Sequence, residues 1–214
     1  MVEMAKTKIK AAESSESKSD QPARERLILA AARLFAAKSF DGVSVREICK
    51  EAGTGINMIH HYFGNKDGLL EAIAERFDAR VYAVPLRLLA TPAVSADDLE
   101  ARMALVFETT LEACIEARDI LMVVLREQPE LSTLVRYQAT LVSFLETAKS
   151  DGLIRESVDT SMISGFLLDR VISQVQFMPW IKKTSGLDVA ADADYRHRWS
   201  TANVDVFLRG VASA

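Results

Sequence analysis

The chain of 214 residues contains only 9 Gly and 5 Pro, so helix breakers are scarce, and an apolar fraction of 49% excludes a wholly disordered chain. A net charge of −4 argues against a protein that binds nucleic acid through overall basicity. Two cysteines in unrelated contexts, Cys49 and Cys114, predict neither a disulfide framework nor a zinc site. The apolar runs are too short to span a bilayer and no secretory signal is visible, so we expect a cytoplasmic protein with no membrane partner.

Hydrophobic periodicity and capping signals divide the chain into helices. A flexible tail is predicted over 1–23, followed by helices over 24–38, 44–52, 56–63, 66–85, 95–117, 119–127, 130–149, 159–183 and 194–212. The clearest start is Ser44-Val45-Arg46-Glu47, a capping box, and the helix that it begins should end at Gly53. No segment alternates strictly enough for a strand. The fold class is therefore predicted to be all-α.

Charge is distributed unevenly between the two parts of the chain. Residues 24–80 carry nine basic and eight acidic side chains, a net of +1, whereas residues 81–214 carry thirteen basic and eighteen acidic ones, a net of −5. The tail is neutral. The acidity therefore belongs to the C-terminal part, and a nucleic-acid site is more compatible with the N-terminal part.

Residues 44–63 have the order helix, tight glycine-containing turn, short helix, which is typical of a helix-turn-helix unit whose second helix enters the DNA major groove. On the short helix, Ile59 and Phe63 share the face that should pack on the first helix. Asn57, His60 and His61 fall on the opposite face. An amide and two imidazoles suit contacts to phosphates and base edges, the amide to adenine in particular.

Residues flanking this face extend the candidate DNA interface. Arg46 is placed to reach a guanine or a phosphate, and the helix starts near Ser44 and Gly55 offer backbone N–H groups to phosphates. Lys66, just after the short helix, is expected to hold the DNA backbone. Interpretation as a plain packing unit remains an alternative, since helix-turn-helix pairs also occur in proteins that do not bind DNA.

Other kinds of site find little support. His60 and His61 are adjacent, so their rings point about 100° apart, and no further ligand completes a metal site. There is no carboxylate pair, Ser/His/Asp set or phosphate-binding glycine loop, so we expect neither an enzyme nor a cofactor.

Three segments carry a resemblance to a known family: RERLILAAARLF, SVREICKEAG and MIHHYFGNKDGLL. Together, over about residues 24–73, they resemble the N-terminal DNA-binding domain of the TetR family of transcriptional regulators. The resemblance implies DNA contacts at Ser44, Arg46, Ile56, Asn57, Met58, His60, His61 and Lys66. Gly55 stands where the family usually has Ser or Asn, a difference that bears on the operator sequence.

One short helix reads only a few base pairs, so we expect a homodimer whose two recognition helices are about 34–36 Å apart. The last two helices present wide apolar stripes and are similar to the dimer-forming helices of the family. The candidate interface residues are Ile163, Phe166, Leu167, Trp199, Val206 and Phe207. The alternative is that these side chains complete the core of a single protomer.

In the resembled family the C-terminal helical domain holds a small-molecule pocket. The candidates here are polar residues that interrupt apolar faces and aromatic residues near them, namely Phe107, Thr110, Cys114, Gln138, Phe144, Gln174, Phe177 and Trp180. The polar ones could instead be capped or face solvent.

These expectations combine into a division of the chain and a function. Residues 24–80 are predicted to form the DNA-binding domain, and 81–214 the effector-binding and dimerisation domain. The predicted function is a homodimeric repressor of transcription that an unidentified small molecule releases from a palindromic operator in double-stranded DNA. The alternative is a DNA-binding dimer that a protein partner controls.

Overall fold

The computed structural model describes residues 21–127 and 132–211. Its helices are α1 (Gln21–Lys38), α2 (Val45–Ala52), α3 (Asn57–Phe63), α4 (Lys66–Val81), α5 (Ala83–Leu88), α6 (Ala96–Glu116), α7 (Arg118–Glu127), α8 (Ser132–Ser150), α9 (Thr160–Gln176), α10 (Met178–Ser185) and α11 (Ala193–Val211). No strand occurs in either described range, and the all-α prediction is confirmed. Residues 1–20 of the predicted tail lie outside these ranges, whereas residues 21–23 form the first turn of α1.

Helix α2 begins and ends, and helix α6 begins, where the capping signals predict. The Ser44 side chain accepts a hydrogen bond from the Glu47 N–H and the Glu47 carboxylate accepts one from the Ser44 N–H, so the capping box at the start of α2 is confirmed. Gly53 ends this helix with φ 63° and ψ 41°, a left-handed conformation that glycine adopts without strain. Ser95 caps α6 through the Asp98 N–H.

Two predicted helices are each divided in two, and proline is the reason in both cases. The predicted helix over 66–85 ends at Val81 and α5 follows, because Pro85 has no N–H to donate to the Val81 carbonyl. The predicted helix over 159–183 ends at Gln176 and α10 follows, because Pro179 lies in the first turn of α10 and cannot continue α9. The direction of residues 178–185 is therefore independent of α9.

Helix α4 joins the N-terminal helices to the rest of the molecule. It packs against α1 and α3 on one side of the junction and against α6, α7 and α8 on the other. Ile73 and Phe77 on α4 are buried in a core that continues from the N-terminal helices into the C-terminal ones. Contacts between α1 and α7 reinforce the junction, since the Phe40 N–H donates to Glu127 Oε1 at 3.1 Å and Arg126 donates to the Phe35 carbonyl. A displacement of α4 would therefore move α3.

A carboxylate on α4 is buried against the first turn of α8. Asp78 is 4% exposed, its Oδ2 accepts the Thr133 N–H at 3.0 Å, and its Oδ1 has no hydrogen-bond partner among the described residues. Burial raises the pKa of the Asp78 carboxyl above its ordinary value of 3.8, and the bond from Thr133 acts in the opposite direction. The ionised form of this side chain is therefore disfavoured by folding.

We expect Asp78→Asn to stabilise the protein at pH 7 and to have little effect near pH 4. Because the pKa is raised in the folded state, the folded chain binds more protons here than the unfolded one, and stability from this group is lost as pH rises through the raised pKa. The neutral amide avoids that loss and keeps an acceptor for Thr133. Urea unfolding of both proteins at the two pH values measures the difference, with exposed Asp151→Asn as the control. Equal or lower stability of Asp78→Asn at pH 7 would contradict the assignment.

Candidate nucleic-acid interface

The seven-residue helix α3 is held by one face and exposed on the other. Ile59 is buried and packs in the core that also contains Ile48 of α2. Asn57, His60 and His61 are exposed, which agrees with the face predicted for them. An amide and two imidazoles thus lie outward on a short, well-anchored helix, an arrangement that can form hydrogen bonds to base edges.

The end of α3 restricts the hydrogen-bonding form of His60. Its Nδ1 is hydrogen-bonded to the Gly64 carbonyl oxygen, which can only accept, so Nδ1 carries the proton. In the neutral ring Nε2 is then an acceptor, suited to an amino group of adenine or cytosine. The His61 ring forms no such bond to the backbone of the described residues and instead lies edge-on to Tyr62, with ring centroids 4.9 Å apart.

The start of α2 contributes one cation and one well-ordered anion. Arg46 is exposed and forms no ion pair within residues 21–127 and 132–211. Glu47 next to it accepts from the Ser44 N–H and hydroxyl and from Lys38 Nζ at 3.0 Å. These bonds, with the backbone N–H of Ser44 as the largest cause, lower the pKa of Glu47 to about 2. The Ser44 hydroxyl is already engaged in the capping box, so among these side chains Arg46 is the one available to DNA.

The sequence predicted that the Lys66 side chain holds the DNA backbone, but in the structure it is bonded within the protein. Its ammonium donates to the carbonyl oxygens of Phe40 at 3.0 Å and Val43 at 3.2 Å, and Nζ lies 4.1 Å from the centre of the Phe40 ring. The side chain is half-buried. Lys66 thus ties the α1–α2 turn to the start of α4, and a role as a free cation for the DNA backbone does not fit these contacts.

The sequence prediction did not identify Gly68, although it sets the distance between α3 and α4. Asn65 caps α4 by accepting from the Gly68 N–H at 2.8 Å, and a Cβ atom at Gly68 would overlap the Phe63 carbonyl oxygen. The two helices can approach this closely only because residue 68 has no side chain. A glycine in the first turn of a predicted helix was the available signal.

Helix α3 starts one residue later than the sequence predicted. Ile56, rather than Gly55, is the residue that precedes the helix; its backbone is already helical and it makes no side-chain capping bond. Its side chain is 50% exposed, whereas Met58 is half-buried and packs against the core. A cleft of about 280 Å³ runs beside Ile56 between α2 and α3.

The predicted effector residues are not all brought together. Phe107 and Thr110 line a cavity between α6 and α9 of about 10 Å³, room for at most one water molecule. Phe144 and Cys114 are buried, and burial raises the pKa of the Cys114 thiol to about 12. Gln174 is also buried and donates to Tyr195 Oη at 3.0 Å.

Three members of that set lie on the surface: exposure is the alternative considered for Gln138, and it does not fit a place inside a pocket for Phe177 and Trp180. Gln138 is exposed because its neighbour Tyr137 occupies the core-facing position of α8. Phe177 and Trp180 are 54% and 63% exposed, and α10, which follows the break after Gln176, has no buried residue. The remaining five residues are compatible with a pocket only if the helices around them separate.

The predicted interface residues also divide into two groups. Leu167, Trp199 and Phe207 are buried within the protomer, which is the alternative considered for them, and Ile163 is half-buried. Phe166 and Val206 are 56% and 72% exposed.

Helices α9 and α11 both pack on α6, and side-chain hydrogen bonds join them. Arg170 Nε donates to Asn203 Oδ1 at 2.9 Å, and the Gln174–Tyr195 bond follows one turn later on α9. Phe166 on α9 and Val206 on α11 are both left exposed by the described parts of the chain.

The described residues form neither a metal site nor a membrane-spanning helix. Within the described parts of the chain, no three His, Cys, Asp or Glu side chains are grouped to hold a metal ion. None of the helices there is both long and apolar enough to cross a membrane.

Comparison with known proteins identifies relatives of this arrangement. The model of the family "Bacterial regulatory proteins, tetR family" matches residues 27–73. The uncharacterized HTH-type transcriptional regulator YdgC of Bacillus subtilis is 26% identical over 149 residues, 69% of this chain and 76% of that protein. The probable HTH-type transcriptional regulator YttP of the same organism is 34% identical over 113 residues, 53% of this chain and 54% of that one.

Solved structures share the fold across both halves of the chain. The transcriptional regulator FadR from Bacillus subtilis, solved in complex with stearoyl-CoA, has a TM-score of 0.65 at 18% identity. The alignment covers 87% of this chain and 98% of that one. The likeness therefore extends from the helix-turn-helix through the C-terminal helices.

Proposed function

We propose that this chain, a member of the TetR family of transcriptional regulators, acts as a homodimeric repressor that a small-molecule effector releases from a palindromic operator. The observation that carries the proposal is the outward face of α3, where Asn57, His60 and His61 are exposed on a helix anchored by Ile59. The division at about residue 80 and a cytoplasmic location belong to the same proposal.

In this proposal the base readers are Asn57 and His61, with His60 as an acceptor through Nε2. Arg46 supplies a cation at the start of α2, where a guanine or a phosphate would lie. Lys66 and Gly68 act indirectly: they hold α3 against α4 and against the α1–α2 turn. With a net charge of only +1 over residues 24–80, phosphate attraction depends on where the cations are, and affinity should fall with salt in proportion to the few contacts formed.

Dimerisation in this proposal uses the outer surface of α9 and α11. Phe166 and Val206 are large apolar side chains exposed on α9 and α11, and exposed apolar side chains on these two helices favour association with a second copy on a two-fold axis. Leu167, Trp199 and Phe207 support that surface from within the protomer.

Effector binding at Phe107 and Thr110 requires the helices around these two residues to move apart. Ligand pockets usually enclose about 300–1,000 Å³, whereas the cavity at Phe107 and Thr110 is about 10 Å³. An effector would therefore stabilise a more open arrangement of α6, α8 and α9. Because α4 packs on α6 and α8 and continues to α3, opening would change the separation of the two recognition helices. The stearoyl-CoA complex of FadR supports an organic effector of this general kind.

Control by a protein partner is a second candidate, and one observation favours it. Helix α10 buries none of its residues, and Trp180 on it and Phe177 before it are exposed aromatic side chains. Release of the operator from purified protein by a small molecule would support the first mechanism, and indifference to a broad panel would support the second.

The proposal is tested by selecting bound sequences from a pool of random duplexes. We expect a palindrome with half-sites about 10 base pairs apart. Asn57→Ala should lose discrimination at one base pair in each half-site, by about 1–3 kcal/mol, while other positions keep their preference. Gln138→Ala, which removes an exposed amide from α8, is the matched control and should select the wild-type palindrome. Failure to enrich any sequence would contradict the proposed function.

A further inference from the structure

An apolar cleft borders the recognition face of α3. Its volume is about 280 Å³, and Val45, Ile56 and Ile59 line it together with Asn57 and His60. Val45 is in the first turn of α2, and Gly64, Asn65 and Lys66 complete the lining, so the cleft lies where the start of α2, helix α3 and the α3–α4 turn meet. The exposed residues Asn57 and His60 are part of its lining.

Ile56 stands out at the mouth of this cleft. Half of its side chain is exposed, yet its neighbours along the face are an amide and an imidazole. The folded chain does not need an exposed isoleucine at this position, because Ile59 and Ile48 already hold α3 and α2 together. An exposed β-branched side chain is also stiff and loses little rotamer freedom on binding.

In the DNA major groove the distinctive apolar group is the 5-methyl of thymine. The geometry points to Ile56, backed by Val45, as the contact for a thymine methyl in each half-site, so that the protein prefers thymine at one defined position beside the base read by Asn57. The inference rests on the proposed function, since it requires α3 to lie in the major groove.

Competing occupants of the cleft are less well matched to its surroundings. Lys66 lines the cleft, and Arg46, which follows the lining residue Val45, is an exposed cation without an ion pair among the described residues, so the charge around the cleft favours an anionic polymer over an apolar peptide. The cleft is also continuous with the Asn57–His60 face. A base edge that projects from the groove can therefore meet the amide and the isoleucine together.

The test replaces each thymine of the selected operator by deoxyuridine, which removes the methyl group and keeps base pairing and the O4 acceptor. We expect one thymine per half-site at which uracil weakens binding about fourfold, and about 15-fold when both half-sites are changed, as for the transfer of one methyl-sized apolar group. For Ile56→Ala the same replacement should have no effect at that position. Leu105→Ala, an exposed apolar residue on α6, should keep the full uracil effect.

The outcomes separate this inference from the proposed function. Tight binding that uracil changes at no position would overturn the inference and leave the proposed function intact. An equal uracil effect in wild-type protein and Ile56→Ala would overturn it too, because the methyl would then be read elsewhere. If the wild-type protein binds no duplex, the proposed function itself is contradicted. Circular dichroism of Ile56→Ala excludes misfolding as the cause of any loss of DNA binding in that variant.

Discussion

Phe166→Glu combined with Val206→Glu should convert the protein to single protomers and lower operator affinity about 100-fold or more. The two side chains are 56% and 72% exposed on adjacent helices, so the glutamates leave the protomer core unchanged. In the dimer four carboxylates would meet in an apolar contact, where burial of unpaired charge is strongly unfavourable. Losing the second half-site removes the gain from linking two binding events, typically 10²–10⁴-fold.

Sedimentation and operator titration measure this prediction together. Val94→Glu is the matched control: Val94 is 85% exposed in the loop before α6, and the variant should remain a dimer with wild-type affinity. A double variant that sediments as a dimer and binds the operator normally would show that α9 and α11 do not form the interface.

Lys66→Ala is the second substitution with a large expected effect, and we expect it to act on stability rather than on phosphate contacts. It removes two charge-assisted hydrogen bonds to the Phe40 and Val43 carbonyls, together with the contact to the Phe40 ring. Hydrogen bonds from a charged group contribute about 1.5–3 kcal/mol each when measured by deletion, so a loss of about 2 kcal/mol is reasonable for this half-buried group. The α1–α2 turn should loosen, and α3 with it.

The salt dependence of DNA binding distinguishes a lysine that stabilises the fold from a lysine that contacts a phosphate. For Lys66→Ala, log affinity against log salt should keep the wild-type slope, whereas Arg46→Ala should lower that slope by about one if Arg46 contacts a phosphate. Thermal unfolding is recorded in parallel. A flatter salt slope with unchanged stability for Lys66→Ala would show that Lys66 contacts the DNA backbone, and it would contradict the positioning role.

Local signals predicted the fold and the outward face of α3 well. The capping box at Ser44 and the left-handed Gly53 depend on neighbours within a few residues, so sequence alone identifies them. The exposure of Asn57 and His61 follows from helical periodicity once Ile59 is assigned to the core.

Contacts between distant segments could not be predicted in the same way. The acceptors of Lys66 lie 23 and 26 residues away on another turn, and a free lysine and a bonded one have the same sequence signature. On α8, a shift of one residue in the amphipathic pattern separates buried Tyr137 from exposed Gln138. The break after Gln176 was predictable, because Pro179 cannot continue a helix.

The central claim is that the His61 side of α3 enters the major groove twice per assembly, one helical turn apart. Site-directed cleavage tests it: His61→Cys carries a DNA-cutting iron chelate, and the native thiols Cys49 and Cys114 are buried and do not compete for the label. The account predicts two clusters of cuts about 10 base pairs apart on the selected operator, and none from the same label at Val94→Cys. A single cluster, or equal cutting from both positions, would contradict it.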